Sequence, residues 1–192
     1  MDAKELSPGL AVGNDLPAWQ RRVFPLAMLL FRVCFGLLFL SNGLAKLPGL
    51  EDLDYVPFPG FLISYDGARN SLDSDTNGHP IGIYRDFVDD VILEHYTPFG
   101  VALVIVEVGI GILLVLGASS SLAALIGFGS IFHIWFANWG RYDDRALWAW
   151  EGPIEWVPLL ALAFLAAGRF YGLDRQVAAR LPRVLRRWPL VR

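Results

Sequence analysis

Four apolar stretches recur along the chain, and each is close to the length that a membrane-crossing helix needs. The stretches are Phe24–Ala45, Phe99–Gly117, Leu122–Ala137 with an extension back to Ser119, and Trp150–Ala167. A bilayer core about 30 Å thick is crossed by roughly 20 mostly apolar residues. The pattern predicts an all-α fold, an integral membrane four-helix bundle in one domain over residues 1–192. The short turn after Gly117 predicts that the second and third spans form an antiparallel hairpin.

A long connection, residues 47–98, separates the first and second spans. In its second half, apolar and aromatic residues recur at helical spacing, with acids elsewhere; these are Ile81, Tyr84, Phe87, Val88, Val91, Ile92 and His95. This spacing predicts an amphipathic helix, which we expect to cap the bundle or to dock a partner. The stretch Arg69–Gly78 is polar and turn-like. It predicts a solvated loop, since no glutamate follows at the distance that a calcium loop requires.

Composition and charge agree with a membrane location and orient the chain. The sequence is 55% hydrophobic and 18% charged, against about 25% charged residues in soluble domains. The loop 47–98 holds ten acids and two bases, whereas the tail 169–192 holds seven arginines and one acid. Because basic segments stay inside, both termini are predicted to be cytoplasmic and the loop to lie outside. The tail is interpreted as an anchor at anionic lipid and not as a nucleic-acid surface.

Two full charges lie near the centres of spans, Arg32 in the first and Glu107 in the second. A charge in hydrocarbon costs roughly 2.5–3.5 kcal/mol on insertion scales, so such residues pair, line a polar cavity or do chemistry. Arg32 shares one helix face with Gly36, Phe39, Gly43 and Lys46, and the glycines allow a second helix to approach. The predicted depths differ by only several ångströms, which predicts an Arg32–Glu107 ion pair.

The third and fourth spans add polar residues in their outer thirds, namely His133, Asn138, Glu151 and Glu155. Lys46 is expected at a similar height, so the sequence predicts a polar pocket that opens outward above the Arg32–Glu107 pair. Arg32, Asn42, Lys46 and Glu155 are the candidate ligand-binding residues, and Glu107 and His133 are the candidate catalytic, proton-handling residues. A second interpretation stays open, in which these groups only lock the helices together.

Several chemistries find no support in the sequence. Cys34 is the single cysteine, so the chain has no thiol–disulfide relay of its own. Only one histidine lies in a span, and no zinc-ligand spacing occurs, so no metal site or haem is predicted. The cofactor stays unassigned, with a quinone as the ligand that the polar pocket suggests.

Three segments carry a family resemblance. The first span reads Arg32-Val33-Cys34-Phe35-Gly36-Leu37-Leu38-Phe39 and ends Gly43-Leu44-Ala45-Lys46-Leu47. The matching part of the second span runs from Glu107 through Gly111 and Leu114 to Gly117. The fourth span is followed by Gly168-Arg169-Phe170-Tyr171-Gly172-Leu173-Asp174. In this order they resemble the R-x-x-x-G-x-x-F…G-x-x-K-L, E-x-x-x-G-x-x-L-x-x-G and G-R-x-x-G-L-D patterns of the DoxX/DoxD family. The long acidic outer loop departs from the shortest members of that family.

The resemblance implies a multi-pass protein of the prokaryotic plasma membrane that works with a redox partner subunit. One branch of the family is similar to the small subunit of thiosulfate:quinone oxidoreductase, so a quinone or a small sulfur oxyanion is the expected ligand. The alternative is a non-catalytic anchor that recruits a soluble redox enzyme. A small transporter is less favoured, because the spans show no inverted repeat. Whether the chain forms a homo-oligomer stays open.

Overall fold

The structure, a computed structural model, describes residues 17–50, 63–139, 151–165, 167–174, 176 and 180. Within these residues the chain is all helical and contains no strand. The α-helices are α1 (Ala18–Ala45), α2 (Tyr65–Thr76), α3 (Gly82–Phe87), α4 (Tyr96–Leu116), α5 (Ser120–Ala137) and α6 (Glu151–Leu165). A π-helical segment, Val88–Leu93, follows α3, and a short 3-10 turn, Ala167–Arg169, follows α6.

Helix α1 packs along α4, with its close contacts in the second half of α4. Glycines set the closeness of this contact. A Cβ at Gly36 would lie 2.8 Å from the backbone N of Val115, and a Cβ at Gly111 would lie 2.6 Å from the backbone N of Leu40. Small residues at such contacts allow helix backbones to approach closely, as the sequence predicted for the face that carries Gly36 and Gly43.

The predicted hairpin between the second and third spans is confirmed. Helix α4 ends at Leu116, and Gly117 adopts the left-handed conformation (φ 65°) that a residue without a Cβ takes most easily. Helix α5 begins at Ser120 and packs closely along α6. Helices α1, α4, α5 and α6 share one buried apolar cluster, formed by Phe39, Ile110, Leu114, Ala123, Ala124, Leu159, Leu162, Ala163 and Ala167.

Three helices, α1, α4 and α5, are long and apolar enough to cross a membrane, which agrees with a multi-pass protein in a lipid bilayer. The fourth predicted span is a helix of 15 residues, about 22 Å long at 1.5 Å per residue. Residue 166, most of the tail 169–192, residues 140–150 and residues 51–62 lie outside the described residues.

The outer segment between α1 and α4 is more helical than the sequence predicted. The stretch Arg69–Gly78 was expected to be a solvated loop, but most of it belongs to α2, and Asp75 is buried at 7% exposure. The Ser64 hydroxyl begins this helix by accepting the Gly67 N–H at 3.1 Å, a standard N-cap. The predicted amphipathic helix is present as α3 and the π-helical segment, with Val88 fully buried.

Candidate functional site

The pair at the centre of the site is Lys46 with Glu107. The Lys46 ammonium lies 2.7 Å from Glu107 Oε2, and the two side chains are 3% and 12% exposed. Lys46 stands directly after the last residue of α1, and Glu107 lies at the middle of α4. Gly43, one turn before Lys46, lets the end of α1 approach Val108 and Glu107. The ion pair therefore joins the end of α1 to the middle of α4, a membrane-capable helix.

Lys46 makes a second hydrogen bond inside the protein. Its ammonium donates to the backbone carbonyl of Asn42 at 3.1 Å. An ammonium has three hydrogens, so these two bonds leave one N–H of Lys46 without a partner among the described residues. The Asn42 side chain turns away from the pair and donates to the carbonyl of Leu38 at 3.1 Å.

The predicted Arg32–Glu107 ion pair is wrong. The Arg32 guanidinium lies against Gly117, ten residues after Glu107 on the same chain segment, which is about 15 Å along a helix. The reason is the register of α1 on α4. Both spans are apolar on nearly every face, so the sequence prediction placed their centres at equal depth. In the structure the glycine contacts shift α1 toward the turn between α4 and α5.

Arg32 instead occupies a buried junction, here called the turn-side junction: Arg32, Gly117, Ser120, Gly168, Gly172 and Asp174. The side chain is 1% exposed, and its Nη2 donates to the Tyr171 carbonyl at 3.5 Å. A Cβ at Gly117 or Gly172 would overlap with Nη1. Among the described residues, Nε and Nη1 have no hydrogen-bond partner. The glycines make room for the guanidinium, and Asp174 supplies the nearby negative charge.

Asp174 also ties the segment after α6 to the hairpin. Its carboxylate accepts the Ser120 hydroxyl and, at 3.3 Å, the Ser120 backbone N–H. The same hydroxyl oxygen accepts the Gly168 N–H at 2.8 Å. An acid that accepts the first N–H groups of a helix also interacts favourably with the helix dipole. The three segments that carry the family resemblance thus contribute Arg32, Gly117 and Asp174 to one place.

A second polar group, the outer cluster, lies at the far end of α5 and consists of Asp75, His79, Tyr84, His133 and Asn138. The Tyr84 hydroxyl and His133 Nε2 are 2.9 Å apart. His79 is fully buried, with Nε2 3.1 Å from the Phe136 carbonyl and Nδ1 accepting the Ile81 N–H at 3.2 Å. The Asn138 amide donates to Asp75 at 3.0 Å. These bonds fasten the outer segment to the last turn of α5.

Electrostatics distinguish Tyr84 within this cluster. Burial, followed by the negative charge of Asp75, raises the pKa of the Tyr84 phenol above its ordinary value. Tyr84 therefore keeps its proton throughout the physiological pH range and is available as a hydrogen-bond donor to His133.

Comparisons with protein-family models, with curated proteins and with solved structures found no match. The resemblance to the DoxX/DoxD family stays a prediction, and the geometry of the described residues carries the functional argument alone.

The structure brings only part of the predicted pocket together. Lys46 and Glu107 are joined, but Arg32 belongs to the turn-side junction and His133 to the outer cluster. Within the described residues, no hydrogen bond or ion pair links His133 to Lys46 or Glu107. Glu155 is exposed on α6.

Most residues of the turn-side junction and the outer cluster were not among the sequence-predicted site residues, and Tyr84, Asp174 and His79 show why. The sequence pattern could have indicated Tyr84, since this residue falls on the inward face of the predicted amphipathic helix. Asp174 ends the third segment of the family resemblance, although no role had been assigned to it. His79 had no pattern of its own, because its burial follows from the docking of the outer segment on α5.

Proposed function

We propose that this chain is the membrane subunit of an oxidoreductase complex of the DoxX/DoxD type, located in the plasma membrane of a prokaryote. In this proposal α1, α4, α5 and α6 form the four-helix membrane bundle, with both termini in the cytoplasm. Support comes from the three membrane-capable helices and from the apolar cluster that the four helices share.

The observation that carries the proposal is the Lys46–Glu107 ion pair. The two side chains are 3% and 12% exposed, and Glu107 lies in the middle of an apolar helix. Charged groups inside a membrane domain are rare and mark ligand or proton pathways. An ammonium that retains one unpaired N–H is suited to hold a carbonyl oxygen of a quinone or an oxygen of a small sulfur oxyanion.

The chemistry assigned to each residue follows from these contacts. Reduction of a quinone takes up two electrons and two protons. The electrons would come from the redox partner subunit, where two thiosulfate ions lose one electron each as a sulfur–sulfur bond joins them. Lys46 would hold the quinone oxygen, and Glu107 would exchange a proton with it. His133, hydrogen-bonded to Tyr84, would exchange protons nearer the outer surface.

One observation favours the second candidate, a non-catalytic membrane anchor. Lys46 and Glu107 satisfy each other at 2.7 Å, and buried ion pairs of this kind can fix helix arrangement without taking part in chemistry. In that function the bundle recruits a soluble redox enzyme, and the ion pair only specifies how α1 meets α4.

The decisive experiment measures turnover by the complex isolated in mild detergent through a tag on this chain. Thiosulfate is the electron donor and decylubiquinone is the acceptor. We expect Glu107→Gln and Lys46→Gln to lower quinone reduction by at least tenfold while the partner subunit still copurifies. The matched control is Asp90→Asn, which removes an exposed acid of the outer segment and should leave turnover unchanged.

The outcomes separate the two candidates. Normal turnover in both ion-pair variants, with the partner still bound, would exclude the catalytic function and favour the anchor. Absence of any copurifying redox enzyme from the wild-type preparation would contradict both.

A further inference from the structure

The outer segment carries an apolar stripe that nothing in the described structure covers. Ile83, Phe87 and Val91 are 80%, 49% and 40% exposed, and they recur every four residues through α3 and the π-helical segment. The stripe adjoins the face of the same helix that packs inward, where Tyr84 and Val88 lie. The exposed acids Asp86, Asp89 and Asp90 belong to the same helical segment.

The depth of this helix follows from its contacts with α5. Helix α5 has 18 residues, about 27 Å, close to the thickness of a bilayer core. Tyr84 bonds to His133, one turn before the last residue of α5, and His79 bonds to the carbonyl of Phe136. Because one turn is about 5.4 Å, α3 lies beside α5 at the outer boundary of the hydrocarbon.

The ends of α4 and α5 nearest the outer segment also carry exposed apolar side chains. Phe99 and Val101 on α4 are 40% and 50% exposed, and Ile134 on α5 is 50% exposed. Residues of this kind on membrane-capable helices face lipid acyl chains. The stripe thus adds exposed apolar side chains at the same end of the spans, at the depth where headgroups meet acyl chains.

We propose that α3 and the π-helical segment form an interfacial helix whose Ile83–Phe87–Val91 stripe is embedded in the outer leaflet of the bilayer. One side packs on the protein through Tyr84 and Val88, a second side enters the lipid, and the acidic side faces water. This three-way division is the arrangement that an amphipathic helix adopts at a membrane surface. The acids make electrostatic attraction to anionic lipid unfavourable, so the contact rests on apolar burial alone.

Site-directed spin labelling in phosphatidylcholine vesicles tests the proposal. Cys34, the single cysteine, is first replaced by serine, and Phe87→Cys, Ile83→Cys and Asp86→Cys are then labelled one at a time. Collisions with oxygen, which concentrates in lipid, are compared with collisions with a water-soluble nickel chelate. We expect the ratio of oxygen to nickel collisions at positions 83 and 87 to exceed the ratio at 86 several-fold.

Two results would overturn the proposal. Equal nickel accessibility at positions 86 and 87 would place the stripe in water. Protection of positions 83 and 87 from both reagents would place them against protein, either a second copy or a partner. Labelling at three positions guards against misfolding of a single variant, and the result does not depend on whether the chain takes part in redox chemistry.

Discussion

Lys46 and Glu107 are held mostly out of contact with solvent. The ion pair is 2.7 Å long and nearly inaccessible, so removing one charge leaves the other uncompensated. Breaking a buried pair in this way typically costs about 3–5 kcal/mol, whereas replacing both charges by apolar groups is often neutral. The two kinds of substitution therefore report on different properties of the same contact.

We predict that Lys46→Met lowers the free energy of unfolding by about 3–5 kcal/mol, and that the double variant Lys46→Met/Glu107→Leu recovers most of this loss. The measurement is denaturant unfolding in mixed detergent micelles. A double variant as unstable as Lys46→Met alone would show that the unpaired Glu107 carboxylate is not the cause of the instability.

Tyr84 offers a test that depends on pH. Its pKa is raised by burial and by Asp75, so the folded protein holds the phenol proton to a higher pH than the unfolded chain does. The contribution of Tyr84 to stability is accordingly constant below about pH 10, the ordinary tyrosine pKa, and falls above it, where the unfolded chain loses its proton first.

We predict that the phenolate absorbance of Tyr84 appears above about pH 10. The measurement is the difference between alkaline titrations of the wild type and Tyr84→Phe, which isolates one of six tyrosines. Asp75→Asn should move this titration toward lower pH. A titration at the ordinary tyrosine value would contradict the buried, hydrogen-bonded position.

At the scale of helices, the α1–α4 interface depends on where side chains are missing. A Cβ at Gly111 would lie 2.6–2.7 Å from backbone atoms of Leu40, which cannot move aside without separating the helices. Gly109, two residues away on the same helix, has no atom within 4 Å of the position where a Cβ would stand. The two glycines form a matched pair for the same substitution.

We predict that Gly111→Ala destabilises the protein by about 1–3 kcal/mol through overpacking. Gly109→Ala should be neutral or stabilising by up to about 1 kcal/mol, because alanine is the better helix residue. Thermal unfolding in detergent compares the two variants. Equal effects would mean that α1 does not approach α4 through Gly111.

The helices themselves could largely be predicted from the sequence. The second span was expected over Phe99–Gly117 and is found as Tyr96–Leu116, and the face shared by Arg32 and Lys46 is buried as expected. The pairing of charges could not be predicted. The register between two uniformly apolar helices is decided by contacts such as that of Gly43 with Val108, and in this register Lys46, not Arg32, lies beside Glu107.

The outer segment shows a second reason why the sequence alone does not predict the structure. Helix α2 has a polar sequence with many turn-forming residues, so its local pattern favours a loop. Its buried residues Asp75 and Thr76 face the rest of the protein, and Asp75 is hydrogen-bonded to Asn138. Tertiary contacts of this kind override local propensity, and no single-sequence pattern reports them.

For the whole molecule, the number of crossings decides on which side the tail lies. Among the residues that the structure describes, only α1, α4 and α5 meet the length for a span, and three crossings would place the termini on opposite sides. The contacts after α6 argue for four. The Gly168 N–H donates to Ser120 Oγ at 2.8 Å, and the Leu173 N–H donates to the Leu116 carbonyl at 3.2 Å. The chain after α6 has therefore returned to the turn between α4 and α5.

We predict that a green fluorescent protein fused after Arg192 is fluorescent in a bacterial host, whereas alkaline phosphatase at the same place is inactive. Phosphatase inserted between α5 and α6, within residues 140–150, should be active because the proposed four-span topology places that connection outside. Green fluorescent protein becomes fluorescent only in the cytoplasm, and alkaline phosphatase becomes active only outside it. Because α1 runs antiparallel to α4 and its Arg32 meets Gly117, the start of α1 lies on the turn side as well.

An active phosphatase after Arg192 would mean that the 15-residue helix α6 does not cross, and the contacts between Gly168 and Ser120 would then have to be absent in the membrane.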